Sequence, residues 1–286
     1  MQRIIVNAVG VFKIVELTVA TILNSFGLYL LATAKKKKIM ILLMIQLIFV
    51  EFCCTLLWSV EETYLYVSGK WPIDRKTSYN IIIVLLTTQF LTLGAITLER
   101  ALAVLLHIKY RVIATKKKLV LVLACIWLIS LSTMIILKFS RKVTFNRIML
   151  FWDALLMVIY TSSYAYIFLA VRRRRLRFAG QTSGSIRNGL NLRVPFLLVF
   201  SLVCFCLIPD LVLVAGLKRP FWYSSIIYLN YISDPFIYLF GMSECKRRMK
   251  DMVCCIVNRG HKKINSQTVT TSKDDSYPLQ CRNYIQ

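Results

Sequence analysis

Glutamate and arginine stand side by side at Glu99-Arg100, within "ITLERALAVLLHIKYRVIATKKK" (residues 96–118), with apolar sequence on both sides. A charge in an apolar medium is costly unless paired, so such residues are paired or functional. A neighbouring acid can hold the guanidinium and later release it to another partner. A second group, Asn24, Glu51, Asn230 and Asp234, interrupts three other apolar runs. Buried polar groups of this kind must satisfy one another or line water. A third, Glu61, Glu62, Asp153 and Asp210, lies nearer the opposite ends of its runs, where an intramembrane acid calls for a cationic partner. Asp210 follows Pro209 directly and is expected to face inward; Glu62 equally suits a headgroup position near Lys70. None of this is a catalytic constellation. No phosphate-binding glycine loop, His-Glu-x-x-His or Gly-x-Ser-x-Gly pattern occurs. The two histidines, His107 and His261, are far apart, and the nine cysteines have no zinc-site spacing. The chain is expected not to be an enzyme and to hold no resident cofactor.

The elements that carry these residues are membrane spans. The 286 residues are 57% hydrophobic and only 17% charged, against about 25% charged in soluble domains. Seven apolar runs, at about 10–33, 39–66, 78–106, 119–138, 148–171, 192–216 and 222–241, are long enough to cross a bilayer as helices. The net charge of +24 comes in short basic blocks between them, such as Lys35 to Lys38, Lys116 to Lys118, Arg172 to Arg175 and Lys246 to Arg248. These blocks follow the first, third, fifth and seventh runs, which argues for topology and against a nucleic-acid partner. The positive-inside rule puts the blocks in the cytoplasm and the N-terminus outside. The first run carries Lys13 and Glu16 and reads as a retained span rather than a cleaved signal. The expected fold is an all-α membrane protein: a seven-transmembrane helix bundle over 1–242, a short amphipathic eighth helix over 243–257 and a disordered tail over 258–286.

In this order the motifs resemble the rhodopsin-like (class A) G-protein-coupled receptors. Glu99-Arg100-Ala101 stands where that family has Asp/Glu-Arg-Tyr. Asn24, Glu51, Trp127 and Pro209 match its marker positions in the first, second, fourth and sixth spans, and "DPFIY" (Asp234, Pro235 to Tyr238) its Asn-Pro-x-x-Tyr motif. "SSYAYIFLAVR", "SGSIRNGLNLR", "YRVIATKKK" and "DPFIYLFGMSECKRRMKDMVCC" are similar to the melanocortin receptors, which also lack the fifth-span proline (Leu156 here) and have a short second extracellular loop. No cysteine falls in an extracellular stretch, so the usual loop disulfide is absent. The outer half departs: Leu207 replaces the sixth-span tryptophan, and Arg75 and Tyr79 stand near acidic positions of that group, of which Glu61 persists.

The resemblance implies a G-protein coupling switch of Glu99, Arg100, Tyr164, Asp234, Pro235 and Tyr238, in which the sixth span swings out and frees Arg100 for a heterotrimeric G protein. The alternative is an arginine that snorkels to the headgroups. Asn24, Glu51, Asn230 and Asp234, with Gln89 where a small hydroxyl residue is usual, would surround a sodium ion or share a proton. Plain helix-packing hydrogen bonds are the other reading. A pocket for an unknown extracellular ligand, cationic or peptide, would involve Glu61, Asp153, Asp210 and Tyr228. Ile82 stands where amine receptors carry an aspartate, and Tyr228 where opsins carry the retinal lysine. Pro209 fits a pivoting sixth span, although proline also occurs in spans that do not switch. Cys254 and Cys255 are either palmitoylated, tying the eighth helix to membrane lipids, or free thiols. The polar tail, with Ser266, Thr268 and Ser272, suits phosphorylation and an arrestin partner by analogy. The cytoplasmic face points to the stimulatory G protein. A seven-helix transporter and a non-signalling decoy of the same fold are the competing readings.

Overall fold

A computed structural model describes residues 2–34, 39–70, 74–106, 110, 114–139, 158–163, 165–167, 169, 172–173, 193–207, 209 and 223–268. Among these there is no strand. The helices are α1 (Gln2–Ala32), α2 (Ile39–Ser68), α3 (Arg75–Leu106), α4 (Lys116–Phe139), α5 (Arg193–Leu202), α6 (Tyr223–Gly241) and α7 (Ser243–Thr268). Residues 158–163 and 165–167 of the fifth apolar run are also helical. Four helical stretches, Ala8–Ala32, Ile39–Ser68, Asn80–Ala103 and Lys116–Ile136, are long and apolar enough to cross a membrane. At 1.5 Å per residue each exceeds a ~30 Å hydrocarbon core. Every backbone polar group must be satisfied there, and a continuous helix does this within one segment.

The first apolar run packs on the second and on α6; the third packs on the second and on α4; α5 packs on α6 and touches the third. This order places the polar positions of α1, α2, α3 and α6 around one axis. A buried cluster of Ala20, Val50, Cys54, Leu85 and Tyr231, flanked by Trp58 and Trp127, fills the space above them. By contrast α4 turns Val120, Leu121, Leu128, Ile135 and Ile136 outward, as a lipid-facing helix does, since lipid tails are as apolar as its side chains.

The sixth span contains a π-helical turn, Val203–Leu207, that ends two residues before Pro209. A proline clashes with the carbonyl four residues back, here Phe205, and cannot donate to it. Widening the helix by one residue over that stretch relieves the clash.

The chain divides into two units, Met1–Lys246 and Arg247–Gln286. The helix expected over 243–257 runs from Ser243 to Thr268. Residues 269–286 of the expected tail lie outside the described residues.

Candidate functional site

At the end of α3 the Nε of Arg100 meets Glu99 Oε2 at 2.9 Å, with side chains only 11% and 10% exposed. Neither of these two atoms has an aligned hydrogen bond, so attraction between them is chiefly coulombic. The remaining contacts hold each partner separately. Tyr110 donates its hydroxyl to Glu99 Oε1 at 2.5 Å, and Arg100 Nη2 donates to the Met40 sulfur at the start of α2. Burial, followed by the hydrogen bond and charge of Glu99, pushes the Tyr110 phenol up. It therefore stays a donor at neutral pH. Tyr110 was visible in the sequence only as part of "YRVIATKKK"; its distance from Glu99 along the chain gives no signal that the two meet. Tyr164, the other hydroxyl expected near Arg100, lies outside the described residues.

The mid-membrane group is a connected lattice. Asn24 donates through Nδ2 to the carbonyl of Tyr231 at 3.2 Å, and accepts at Oδ1 from the Tyr238 hydroxyl at 2.5 Å. The first contact has a backbone cause. Pro235 sits inside α6 and has no N–H to offer the carbonyl four residues before it, which is that of Tyr231. The Asn24 amide replaces the missing donor. Gln89 donates to Glu51 Oε1 at 3.3 Å and accepts from the Tyr231 hydroxyl at 3.2 Å. Asn230 donates to Asp234 Oδ2 at 3.2 Å and accepts from Ser201 on the sixth span at 3.0 Å. Ser201 and Ser233 lie 2.5 Å apart, either one donating. The Glu51 and Asp234 carboxyls adjoin. Each keeps one buried oxygen, Glu51 Oε2 and Asp234 Oδ1, without a hydrogen-bond partner. Two carboxylates this close favour uptake of a proton by one of them.

All five residues expected in this network, Asn24, Glu51, Gln89, Asn230 and Asp234, are buried and joined. Sequence reasoning missed Tyr231, Ser201 and Ser233, ordinary residues whose faces only packing reveals. It also missed Gly27. A Cβ at Gly27 would stand 2.6 Å from Tyr238 Cε2, so the glycine is what lets the Tyr238 ring lie against α1 and reach Asn24. A glycine three residues after a buried asparagine was the available clue.

Towards the other ends of the spans, Glu61 and Glu62 turn to different neighbours. Glu61 accepts from Ser78 on α3, while Glu62 Oε1 accepts from the Tyr228 hydroxyl on α6 at 3.3 Å. Trp58 rests against Tyr228 and Tyr231, ring centroids 5.3 Å away in each case. Asp153 and Asp210 lie outside the described residues. In α7, Cys254 and Cys255 are exposed. Cys245 is buried, and burial followed by the charge of Glu244 pushes its thiol up to about 12. Acylation needs an accessible thiolate, and of the three cysteines of α7 only Cys254 and Cys255 are exposed.

Residues 24–151 match the family described as "7 transmembrane receptor (rhodopsin family)". The chain is 25% identical over 197 residues to melanocortin receptor 5 of Rattus norvegicus, covering 62% of this chain and 59% of that receptor. It is 22% identical over 181 residues to melanocortin receptor 4 of Danio rerio, covering 57% and 56%. The alignment thus spans under two thirds of the relatives it matches. With the same motifs in the same order on packed helices, the chain is a multi-pass membrane protein similar, over part of its length, to the rhodopsin-like receptors and to the melanocortin receptors among them.

Proposed function

We propose that the chain is a plasma-membrane receptor, N-terminus outside, that couples an extracellular ligand to a heterotrimeric G protein, the stimulatory one. The observation that carries this reading is the double restraint on its switch residues. Arg100 is held by Glu99, itself held by Tyr110, and Tyr238 is held by Asn24. Both restraints use single side-chain contacts that can be exchanged without unfolding a helix. In the receptor reading this is the resting arrangement, and a ligand acts by binding the released state better. The Val203–Leu207 π turn and Pro209 give the sixth span a place to bend.

Glu51 Oε2 and Asp234 Oδ1 fit a sodium ion or a shared proton between them. A cation there would neutralise two adjacent acids and hold α2 to α6. Exposed Cys254 and Cys255 suit palmitoylation, and phosphorylation of the tail would admit arrestin.

Basal cAMP in cells expressing the chain, against Arg100→Ala at matched surface level, tests the reading. A raised level abolished by the substitution supports coupling to the stimulatory G protein. An unchanged level across a panel of G-protein sensors, with ligand candidates present, would favour the decoy. Substrate uptake independent of Arg100 would favour the transporter.

A further inference from the structure

Glu16 lies inside the first span, eight residues before Asn24 and thus about 12 Å from it along the helix. Its side chain is only 5% exposed, and both carboxylate oxygens are buried with no hydrogen-bond partner. Such a group demands compensation. Among the described residues no hydrogen bond supplies it. The carboxyl lies near Ser225 and Tyr228 of α6, but no well-formed hydrogen bond joins it to Ser225 and the Tyr228 hydroxyl is spent on Glu62. Lys13, about one helical turn away, acts on Glu16 through space only.

The charged groups described around Tyr228 are acidic. Glu16 comes from α1, Glu62 from α2 and, farther round, Glu61. Glu61 is turned away to Ser78. Among the described residues no three acidic, histidine or cysteine side chains stand close enough to hold a metal ion. The negative charge is therefore spread too widely for a bare divalent cation and suits a larger, softly hydrated one. Aromatic rings are present to receive it: Tyr228 with Trp58 behind it. An alkylammonium group gains from carboxylates and from aromatic faces together.

We infer that Glu16, Glu62 and Tyr228, backed by Trp58, form a subsite between the first, second and seventh spans for an organic ammonium group of the ligand. This rests on the receptor reading above and gives its ligand a charge and a place. Bound there, the ammonium lies between the two glutamates, supplies Glu16 with the partner it lacks, and ties α1 and α2 to α6. Its contact with Tyr228 sits on the same helix as Asn230, Asp234 and Tyr238, so binding bears directly on the helix that carries the switch.

The test uses the full chain in lipid nanodiscs, with choline as the probe and its neutral carbon analogue, tert-butyl in place of trimethylammonium, as control. Tryptophan fluorescence and thermal stability are followed across the titration. Choline is expected to give a saturable response that the neutral analogue does not, and Glu16→Gln and Glu62→Gln are each expected to weaken it about tenfold or more. Glu61→Gln should weaken it less than about threefold, because its carboxyl belongs to Ser78. Should Glu16→Gln fail to fold, Glu62→Gln and Tyr228→Phe carry the same comparison. An equal response to the neutral analogue, or choline affinity indifferent to Glu16, Glu62 and Tyr228, overturns the subsite. No G protein is present, so loss of the choline response leaves the Arg100 result standing. Loss of the Arg100 effect likewise leaves the titration standing.

Discussion

The mid-membrane lattice and the outer acidic cluster are built from similar residues, yet they solve opposite problems. Around Asn24 the donors have acceptors, on another helix for Asn24 and Tyr238 and within α6 for Asn230; even the carbonyl orphaned by Pro235 is served, and only the Glu51–Asp234 pair keeps open oxygens. Around Tyr228 the acids outnumber the donors, and Glu16 has none. A closed network fixes helices in one arrangement, because moving any one of them breaks several bonds at once. An open one stores an unmet demand that a ligand can fill. Membrane depth does not explain the difference, since both lie within the spans. What separates them is that amides and hydroxyls, which donate and accept, are mixed with the acids in one place and scarce in the other.

Substitutions can break this contrast, and the largest effect is expected at Asn24. Asn24→Ala removes the acceptor for Tyr238 and the donor for the Tyr231 carbonyl together. It should cost about 2–3 kcal/mol of stability, measured by thermal unfolding in detergent. A loss confined to a few tenths would mean that water or a neighbour serves the Tyr231 carbonyl. Next comes Gly27→Ala. Its methyl would meet the Tyr238 ring, and overpacking of this kind costs about 1–3 kcal/mol. Because the strain falls on the resting arrangement, basal cAMP should rise; an unaltered basal level would show that Tyr238 is not a restraint. Tyr110→Phe removes one donor from Glu99 and should raise basal signalling up to about fivefold, equivalent to about 1 kcal/mol. The double variant with Arg100→Ala should show no rise. The smallest effect is expected at Glu61→Gln, under about 1 kcal/mol in thermal unfolding, since the amide oxygen still accepts from Ser78. If Glu61→Gln proved as damaging as Asn24→Ala, the outer cluster would be a closed lattice too, and the contrast would fail.

Much of the site was legible before folding because a charged or amide residue in an apolar run is conspicuous. Asn24, Glu51, Gln89, Asn230 and Asp234 stood out in this way and meet in the structure. Glu99-Arg100 stood out as a pair and is a pair. Glu16 was equally conspicuous by type, yet it was read only as an interruption of the first span. Nothing in the local sequence says that its side chain faces α6 instead of lipid or headgroups. Tyr110, Tyr231 and Ser201 were silent, and Gly27 nearly so, for a related reason. Tyrosine, serine and glycine are common in membrane helices, and their roles depend on which neighbour each one faces.

The sequence by itself determined that the chain is helical, that it crosses a membrane repeatedly, and which side its basic blocks prefer. Those properties follow from transfer free energies that add along a segment, whatever the neighbours are. Only the tertiary structure decided who serves the Tyr231 carbonyl, which glutamate turns to Ser78 and which to Tyr228, and that Glu16 has no hydrogen-bond partner among the described residues. Hydrogen bonds and ion pairs are short-ranged and directional, and residues as far apart in sequence as Asn24 and Tyr238 come within bonding distance only through the packing of whole helices.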